Sequence, residues 1–117
     1  MSVPRPHLVA RLRAPSDAGY LSLCRLALAG AVQNMALADE ALDELKLVLS
    51  ELCAAAIRHG ASEIELEFRT SATEVEITVG GAPAGPTVIA LLDALTTRWS
   101  NRADGLPGIT FARRIAP

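Results

Sequence analysis

Aromatic residues are scarce in this sequence, which has one Trp, one Tyr and two Phe among 117 residues. Half of the residues are nevertheless hydrophobic, which excludes a disordered chain and requires a core built from Leu, Ile, Val and Ala. An excess of charge is also lacking, because a formal net charge of −2 gives no general attraction to nucleic acid or to anionic membranes. The length predicts one domain, residues 1–117.

Long apolar runs and cysteine motifs are missing as well. The most apolar stretch, residues 21–32, is interrupted by Ser22 and Arg25 and is too short for the roughly 20 residues of a membrane span. The N-terminus lacks the basic-then-apolar order of a signal peptide. Cys24 and Cys53 do not have the spacing of metal ligands, and we interpret them as reduced core thiols of a cytoplasmic protein. We therefore predict no metal site, no nucleic-acid partner and no membrane contact.

Hydrophobic periodicity predicts where the helices and strands lie. Apolar residues recur at intervals of three and four over residues 39–59, and Gly60 follows them as a helix stop signal. Strict alternation of apolar and polar residues predicts two strands, 63–69 and 74–79, joined as an antiparallel hairpin. The other predicted elements are an edge strand at 7–13, helices at 17–33 and 87–98, and a closing strand at 109–115.

The resulting order, β-α-α-β-β-α-β, predicts an α+β fold. It is a two-layer α/β sandwich, with the helices on one face of a mainly antiparallel sheet. Nine residues of the second helix and the hairpin should be buried: Leu45, Leu49, Leu52, Ile64, Leu66, Phe68, Val75, Ile77 and Val79. Five glutamates on the other face of the hairpin are either a solvated surface or a site for a charged partner. Trp99 is interpreted as a lid on the core, with a partner anchor as the alternative.

The segment LKLVLSELCAAAIRHG, residues 45–60, resembles the nucleotide-binding helix of the Bergerat-fold (GHKL) ATPases. The resemblance is to the branch of the anti-sigma-factor serine kinases, which carries the pattern E-x-x-x-N-A-x-x-H. Glu51, Ala56 and His59 match this pattern, and Ala55 stands at the position of the asparagine. The resemblance extends over nearly the whole chain in order and spacing, and it implies the histidine-kinase ATPase-like fold.

The strand VEITV resembles the strand before the family's D-x-G-x-G turn. This register places Gly81 at the position of the aspartate, and Pro83 and Gly85 at the positions of the two glycines. In the family the glutamate activates a nucleophile, the asparagine holds magnesium, the aspartate accepts the adenine amino group, and later glycines enclose the phosphates.

The groups that the resemblance requires are largely replaced in this chain. Ala55 has no oxygen for a hard cation, Gly81 has no acceptor for adenine, and Pro83 has no backbone donor. No second glycine motif follows Gly85, so we expect the ATP lid to be absent. We therefore expect no catalytic residue, no metal and no ATP cofactor, and the pocket under the loop should be filled by side chains of the 87–98 helix.

Five positions are then vestigial in this interpretation: Glu51, Ala55, His59, Gly81 and Gly85. Two of them have simpler alternatives. Glu51 is alternatively an ion-paired surface residue near Arg58 and His59. His59 is alternatively a helix C-cap, where the helix dipole favours an imidazolium.

The resemblance implies a non-catalytic signalling module that binds a protein partner, either a sigma factor or a STAS-type sigma antagonist. One alternative is an active ATP-dependent anti-sigma-factor serine kinase with a divergent nucleotide site, which would use magnesium and ATP. A second alternative is a dimeric scaffold similar to histidine phosphotransferases, although neither His7 nor His59 lies in the middle of a predicted helix. The sequence leaves homodimerisation open.

Overall fold

The computed structural model describes residues 5–115 of the chain. Its elements are β1 (His7–Pro15), α1 (Leu21–Ala31), α2 (Asp39–Arg58), β2 (Glu63–Thr70), β3 (Glu74–Gly80), α3 (Pro86–Leu95), β4 (Arg98–Asn101) and β5 (Gly108–Arg114), with a short 3₁₀ helix (Ala18–Tyr20) before α1. The strands form one antiparallel sheet in the order β1-β2-β3-β5-β4. The helices pack on one face of this sheet. The predicted two-layer α+β sandwich is confirmed.

The core lies between the helices and the hairpin of β2 and β3. Period-two alternation directs every second residue of the hairpin toward the helices, and α2 meets them with its apolar stripe. All nine residues predicted to be buried are buried, together with Leu28 of α1, Leu92 of α3 and Phe111 of β5. With so few aromatic residues, this core consists mainly of aliphatic side chains, as the composition predicts.

The end of α2 is fixed by a Schellman motif. Gly60 has a φ of 77°, in the left-handed region that glycine adopts without strain. The N–H groups of Gly60 and Ala61 donate to the carbonyls of Ile57 and Ala56, each at 3.1 Å, which is the hydrogen-bond pattern of that motif. The predicted stop at Gly60 is thus confirmed, and the motif places Ala61 beside the loop that follows β3.

The outer face of the sheet carries ion pairs in place of an acidic patch. Within residues 5–115, four of the five hairpin glutamates lie within 4.0 Å of an arginine: Glu65 with Arg13, Glu67 with Arg11 and Arg69, and Glu74 and Glu76 with Arg98. Of these pairs, Glu74 and Arg98 are the closest, at 2.6 Å. The face is therefore a mixed, largely neutralised surface, which agrees with the solvated-surface interpretation.

The predicted third helix is longer than the observed one, and the sequence does not predict the strand that follows it. The prediction extended it to residue 98 and treated residues 101–108 as a loop, whereas α3 ends at Leu95 and β4 occupies Arg98–Asn101. Thr96 already has extended backbone angles, and β-branched and aromatic residues such as Thr96, Thr97 and Trp99 favour strands. The helical pattern of the preceding leucines masked this change of period.

Trp99 lies on β4 opposite Phe111 of β5. Its indole Nε1 donates to Asp93 Oδ1 of α3 at 2.7 Å, and the half-buried ring packs against the core. The arrangement satisfies the indole donor and ties α3 to the sheet edge. It matches the interpretation of Trp99 as a lid on the core.

The first helical segment differs from the predicted helix 17–33, because residues 18–20 form a 3₁₀ turn before α1 begins.

Candidate functional site

A groove lies between the last turn of α2 and the loop that leads from β3 into α3. Its volume is about 180 Å³, and its lining residues are Ala55, Arg58, His59, Pro83, Gly85, Pro86, Thr87 and Val88. Ala55 and His59 share a face of α2 because they are four residues apart. The structure therefore brings together three of the five vestigial positions, Ala55, His59 and Gly85. Glu51 and Gly81 are not part of the lining.

The space under the loop is filled only in part, because a narrow groove remains beside the side chains of the 87–98 helix that were expected to fill it. Ala82 and Val88, which are buried in the core, fill the space beneath the loop. The space above them stays open because Ala55 and Gly85 carry small or no side chains. The remaining 180 Å³ is less than the roughly 300–1,000 Å³ of typical ligand pockets.

Position 55 contributes only a methyl group to the groove. Ala55 is 4% exposed, so only a small part of its surface is accessible from the groove. Among the lining residues, the one side-chain oxygen is the hydroxyl of Thr87. Magnesium requires several oxygen ligands, usually including carboxylates. The side chains that line the groove do not offer such a set.

Position 81 is closed to a side chain by its backbone and by its neighbour. Gly81 has a φ of 82°, and a Cβ built on it would lie 3.0 Å from the Cβ of Ala61 and 3.7 Å from that of Ala56. Its N–H donates to the carbonyl of Pro107 at 2.9 Å, which anchors the turn to the loop before β5. An aspartate at this position would need a strained backbone as well as a displacement of Ala61.

The alternatives for Glu51 and His59 have different outcomes. Glu51 is half-buried on α2 and forms no salt bridge within residues 5–115. The interpretation of Glu51 as an ion-paired residue is therefore not supported. His59 is the C-cap residue of α2, and its N–H donates to the carbonyl of Ala55 at 3.0 Å. This is the capping position that the sequence predicts for His59.

Two further features of the groove were missed from the sequence. Arg58 is exposed on the last turn of α2 and lines the groove, whereas its position in the sequence suggests only a partner for Glu51. The first turn of α3 also lines it, with Gly85 as N-cap and proline at the first position. The backbone N–H groups of Thr87 and Val88 have no partner within α3, because the first N–H groups of any helix lack one. The Gly-Pro-Thr sequence indicates this helix start, because proline is favoured at the first position of a helix.

The electrostatics of the groove follow from these elements. The positive end of the α3 dipole and the Arg58 guanidinium lie at the same opening. No carboxylate is among the lining residues. The groove therefore has positive character and an apolar floor, but it lacks side chains that would bind a divalent cation. Among residues 5–115, no cluster of three or more His, Cys, Asp or Glu has the arrangement of a metal site.

A comparison of the sequence with protein-family models identifies the family of this chain. The sequence matches the histidine kinase-like ATPase domain over residues 14–116. The chain belongs to this family. A comparison with curated proteins gave no match. The matched region of the histidine kinase-like ATPase domain includes all three helices and every residue that lines the groove.

No helix within residues 5–115 has both the length and the apolar character that crossing a membrane demands.

Proposed function

We propose that this histidine kinase-like ATPase domain is a non-catalytic signalling module, related to anti-sigma-factor kinases, that acts by binding a protein without ATP. The proposed partner is a sigma factor or a STAS-type sigma antagonist in the cytoplasm, as the sequence resemblance implies. The observation that carries the proposal is the closure of position 81, where the adenine-binding aspartate would lie. Gly81 cannot accept that side chain without strain because of its φ of 82° and its contact with Ala61.

The metal-binding position supports the same proposal. Ala55 stands at the position of the asparagine in the anti-sigma-factor kinases that this chain resembles, and it is enclosed by its neighbours. Without an oxygen at this position, magnesium and the phosphates that it bridges have one ligand fewer. Glu51, the residue that would activate a nucleophile, is not part of the groove lining. Catalysis needs these groups in one site.

The region after α3 supports the proposed absence of a lid. Residues 96–107 separate α3 from β5, and four of these residues form β4. Two further backbone hydrogen bonds tie β4 to the sheet at its two ends, because Thr97 N donates to Ala112 O at 2.8 Å and Arg102 N donates to Gly108 O at 3.0 Å. A segment that is so short and so tied to the sheet leaves little chain to cover a nucleotide.

The combined losses predict the affinity that remains. Each hydrogen bond that a desolvated ligand group fails to make costs about 1–3 kcal/mol, and more for a charged group. The acceptor for adenine, the metal ligand and one phosphate donor are missing. Since 1.4 kcal/mol is tenfold in affinity, a micromolar site would weaken to about millimolar or worse.

Isothermal titration calorimetry and thermal melting with magnesium and ATP, ADP or GTP test this proposal. We expect no heat of binding and no shift in melting temperature at sub-millimolar nucleotide. A buffer titration and a magnesium-only titration are the controls. Micromolar ATP affinity, or phosphate transfer to a co-purifying protein that depends on Glu51, would contradict the proposal and favour the active serine kinase.

A further inference from the structure

The free edge of β1 is the longest exposed backbone edge of the described sheet. β1 has nine residues, is the first strand of the sheet order, and pairs with β2. Its other side has no strand partner within residues 5–115. Along the regular part of this edge, residues 10–14, alternate N–H and C=O groups point outward and are able to pair with an added strand. The pairing register with β2 shifts between Leu8 and Ala10, so the edge is irregular before Ala10.

Exposed apolar side chains are concentrated in β1 and in the elements that directly follow it. Seven large hydrophobic residues are exposed within the described chain, and five of them belong to β1, the 3₁₀ turn or α1: Leu8, Val9, Tyr20, Leu23 and Leu26. Leu26 is the most exposed of them, at 69%. Exposed hydrophobic residues that stand singly are common on protein surfaces, whereas larger contiguous apolar patches mark interaction sites.

The position of α1 explains why its apolar residues face this edge. α1 packs over β1 and β2, while α2 packs over β2 and β3, so α1 is the outermost helix on the β1 side. Arg25 of α1 points toward α2, because its Nη1 donates to Ser50 Oγ at 3.2 Å. Leu23 is two residues away and therefore projects from the opposite side of α1. That side is the one above the free edge of β1.

Arginines lie on the other side of the strand. Arg11 and Arg13 point to the outer face of the sheet, opposite Glu67 and Glu65 of β2. Their side chains remain 68% and 72% exposed, and their distances to these glutamates are 3.3 and 4.0 Å. Each guanidinium has five donors, so both arginines retain donors for carboxylates on a strand added at the free edge.

We propose that the free edge of β1 binds an extended segment of a protein partner in which acidic and apolar residues alternate. The acidic residues would face Arg11 and Arg13, and the apolar residues would face Leu23 and its neighbours on α1. β2 satisfies the same pattern from the other side, since its glutamates oppose the arginines and its Ile and Leu residues point under the helices. The inference rests on the proposed protein-binding function and specifies the chemistry of the partner.

Charge favours this partner over a second copy of the chain. Pairing two β1 edges about a two-fold axis would bring the arginine sides of both strands together on one face. Like charges directly opposite one another destabilise a pair of strands. An acidic strand gains from the same two arginines.

The probe for this proposal is a short fluorescent synthetic peptide that alternates Glu with Val and Ile, measured by fluorescence anisotropy. The comparison peptide has Lys in place of every Glu. We expect the Glu peptide to bind and the Lys peptide to bind more weakly. Binding should slow amide hydrogen exchange in residues 7–15 and not in residues 55–59 or 85–88. Equal affinity for the two peptides, or slowed exchange at the groove alone, would overturn the proposal.

Matched variants locate the contact. The double variant Arg11→Gln with Arg13→Gln should weaken binding of the Glu peptide roughly 2- to 30-fold, since each cross-strand charge pair contributes modestly. Arg114→Gln, an exposed arginine of β5, is the control and should leave the affinity unchanged. Thermal melting confirms that each variant is folded. Unchanged affinity in a folded double variant would refute the assignment.

Self-association is measured in parallel by sedimentation. A dimer that the Glu peptide dissociates would show that a second copy occupies the edge, which contradicts the proposed occupant. Nucleotide binding is a separate readout. If the Glu peptide does not bind and nucleotide binding is also absent, only the proposed edge site is rejected. Micromolar ATP affinity would instead reject the proposed function.

Discussion

Gly81 and Ala61 approach so closely that a Cβ on Gly81 would lie 3.0 Å from the Cβ of Ala61. Ala61 is held in place by the Schellman motif at the end of α2, where its N–H donates to Ala56 O at 3.1 Å. Gly81 is held from the other side by its hydrogen bond to Pro107. The end of the α2 helix and the turn after β3 are thus packed so closely that a Cβ at position 81 would require Ala61 to move by a few tenths of an ångström.

Restoring the aspartate at position 81 should therefore destabilise the protein. Gly81→Asp combines a positive φ with a close contact, and backbone strain of this kind costs about 1–3 kcal/mol. The free energy of unfolding measured by urea denaturation should fall by that amount. Gly30→Ala is the control, because Gly30 is helical with nothing within 4 Å of a built Cβ, and it should stabilise by about 0.5–1 kcal/mol. A Gly81→Asp variant as stable as the parent protein would contradict this account.

Two leucines of α2 should respond differently to truncation. Leu52 is fully buried, whereas Leu47 is 47% exposed. Leu52→Ala should lower the free energy of unfolding by about 2–5 kcal/mol, since it removes buried methyl groups and leaves a cavity. Leu47→Ala should change it by less than about 0.5 kcal/mol. Both values come from urea denaturation, and equal effects at the two positions would show that the core is misassigned.

The sequence predicted the parts of this fold that depend on periodicity and local stop signals. The alternation of Ile64, Leu66 and Phe68 and the stop at Gly60 act through neighbouring residues, so they can be read without the tertiary structure. β4 was missed because its extended backbone is fixed by pairing with β5, and Trp99 lies within a run that otherwise has helical spacing. The strand propensity of Thr96, Thr97 and Trp99 is the only local signal, and it is weaker than the helical spacing of the preceding leucines.

The sequence predicts some of the residues that line the candidate site, but it does not predict the shape of the groove. The four-residue spacing of Glu51, Ala55 and His59 predicts one stripe on α2, and the structure places Ala55 and His59, but not Glu51, on the groove. The closure at Gly81 depends on Ala61, which the Schellman motif brings in from another element. That contact is tertiary, as is the open space that Gly85 leaves above Val88, which is why the sequence does not predict the groove that remains.

The ion pair of Glu74 with Arg98 predicts a pH dependence of stability. Two hydrogen bonds of 2.6 Å from the Arg98 guanidinium hold the pKa of the Glu74 carboxyl below its ordinary value. A lowered pKa in the folded state stabilises the protein above the unfolded pKa of about 4.3, and this stabilisation is lost as the pH falls through the folded pKa. Because Arg98 is half-exposed, the contribution is at most about 1 kcal/mol.

Glu74→Gln tests this dependence. At pH 7 the variant should be less stable than the parent by up to about 1 kcal/mol, and the two stabilities should converge below the pKa that Glu74 has in the folded state. Urea denaturation across an acid pH series gives both values. Glu63→Gln is the control, since Glu63 is exposed and forms no ion pair within residues 5–115. A stability difference that stays constant down to pH 2 would exclude the pair as its source.

Cys24 and Cys53 should be unreactive while the protein is folded. Both are buried between α1 and α2, at 1% and 0% exposure. A hydrogen bond with Cys24, together with burial, raises the pKa of the Cys53 thiol, while the same hydrogen bond lowers the pKa of Cys24. Since only an accessible thiolate reacts, burial should protect both. DTNB should modify neither thiol in the native protein and both after denaturation, and rapid native modification would show that α1 separates readily from α2.

Ala55→Asn tests whether the metal ligand alone is missing. The asparagine should lower the free energy of unfolding by about 1–3 kcal/mol if its amide stays unpaired in this buried position. Ala54→Asn, at the half-buried neighbouring position of α2, is the control for the lower helix propensity of asparagine.

Calorimetry of the Ala55→Asn variant should show no binding of magnesium–ATP at sub-millimolar concentration. One oxygen ligand at position 55 leaves adenine without an acceptor at position 81, and it adds no chain to cover the phosphates. The double variant with Gly81→Asp should also fail, because the strain against Ala61 would displace the turn that the nucleotide needs. Micromolar binding by the single variant would mean that the adenine and phosphate contacts survive in this fold, and that Ala55 alone separates the module from a nucleotide-binding domain.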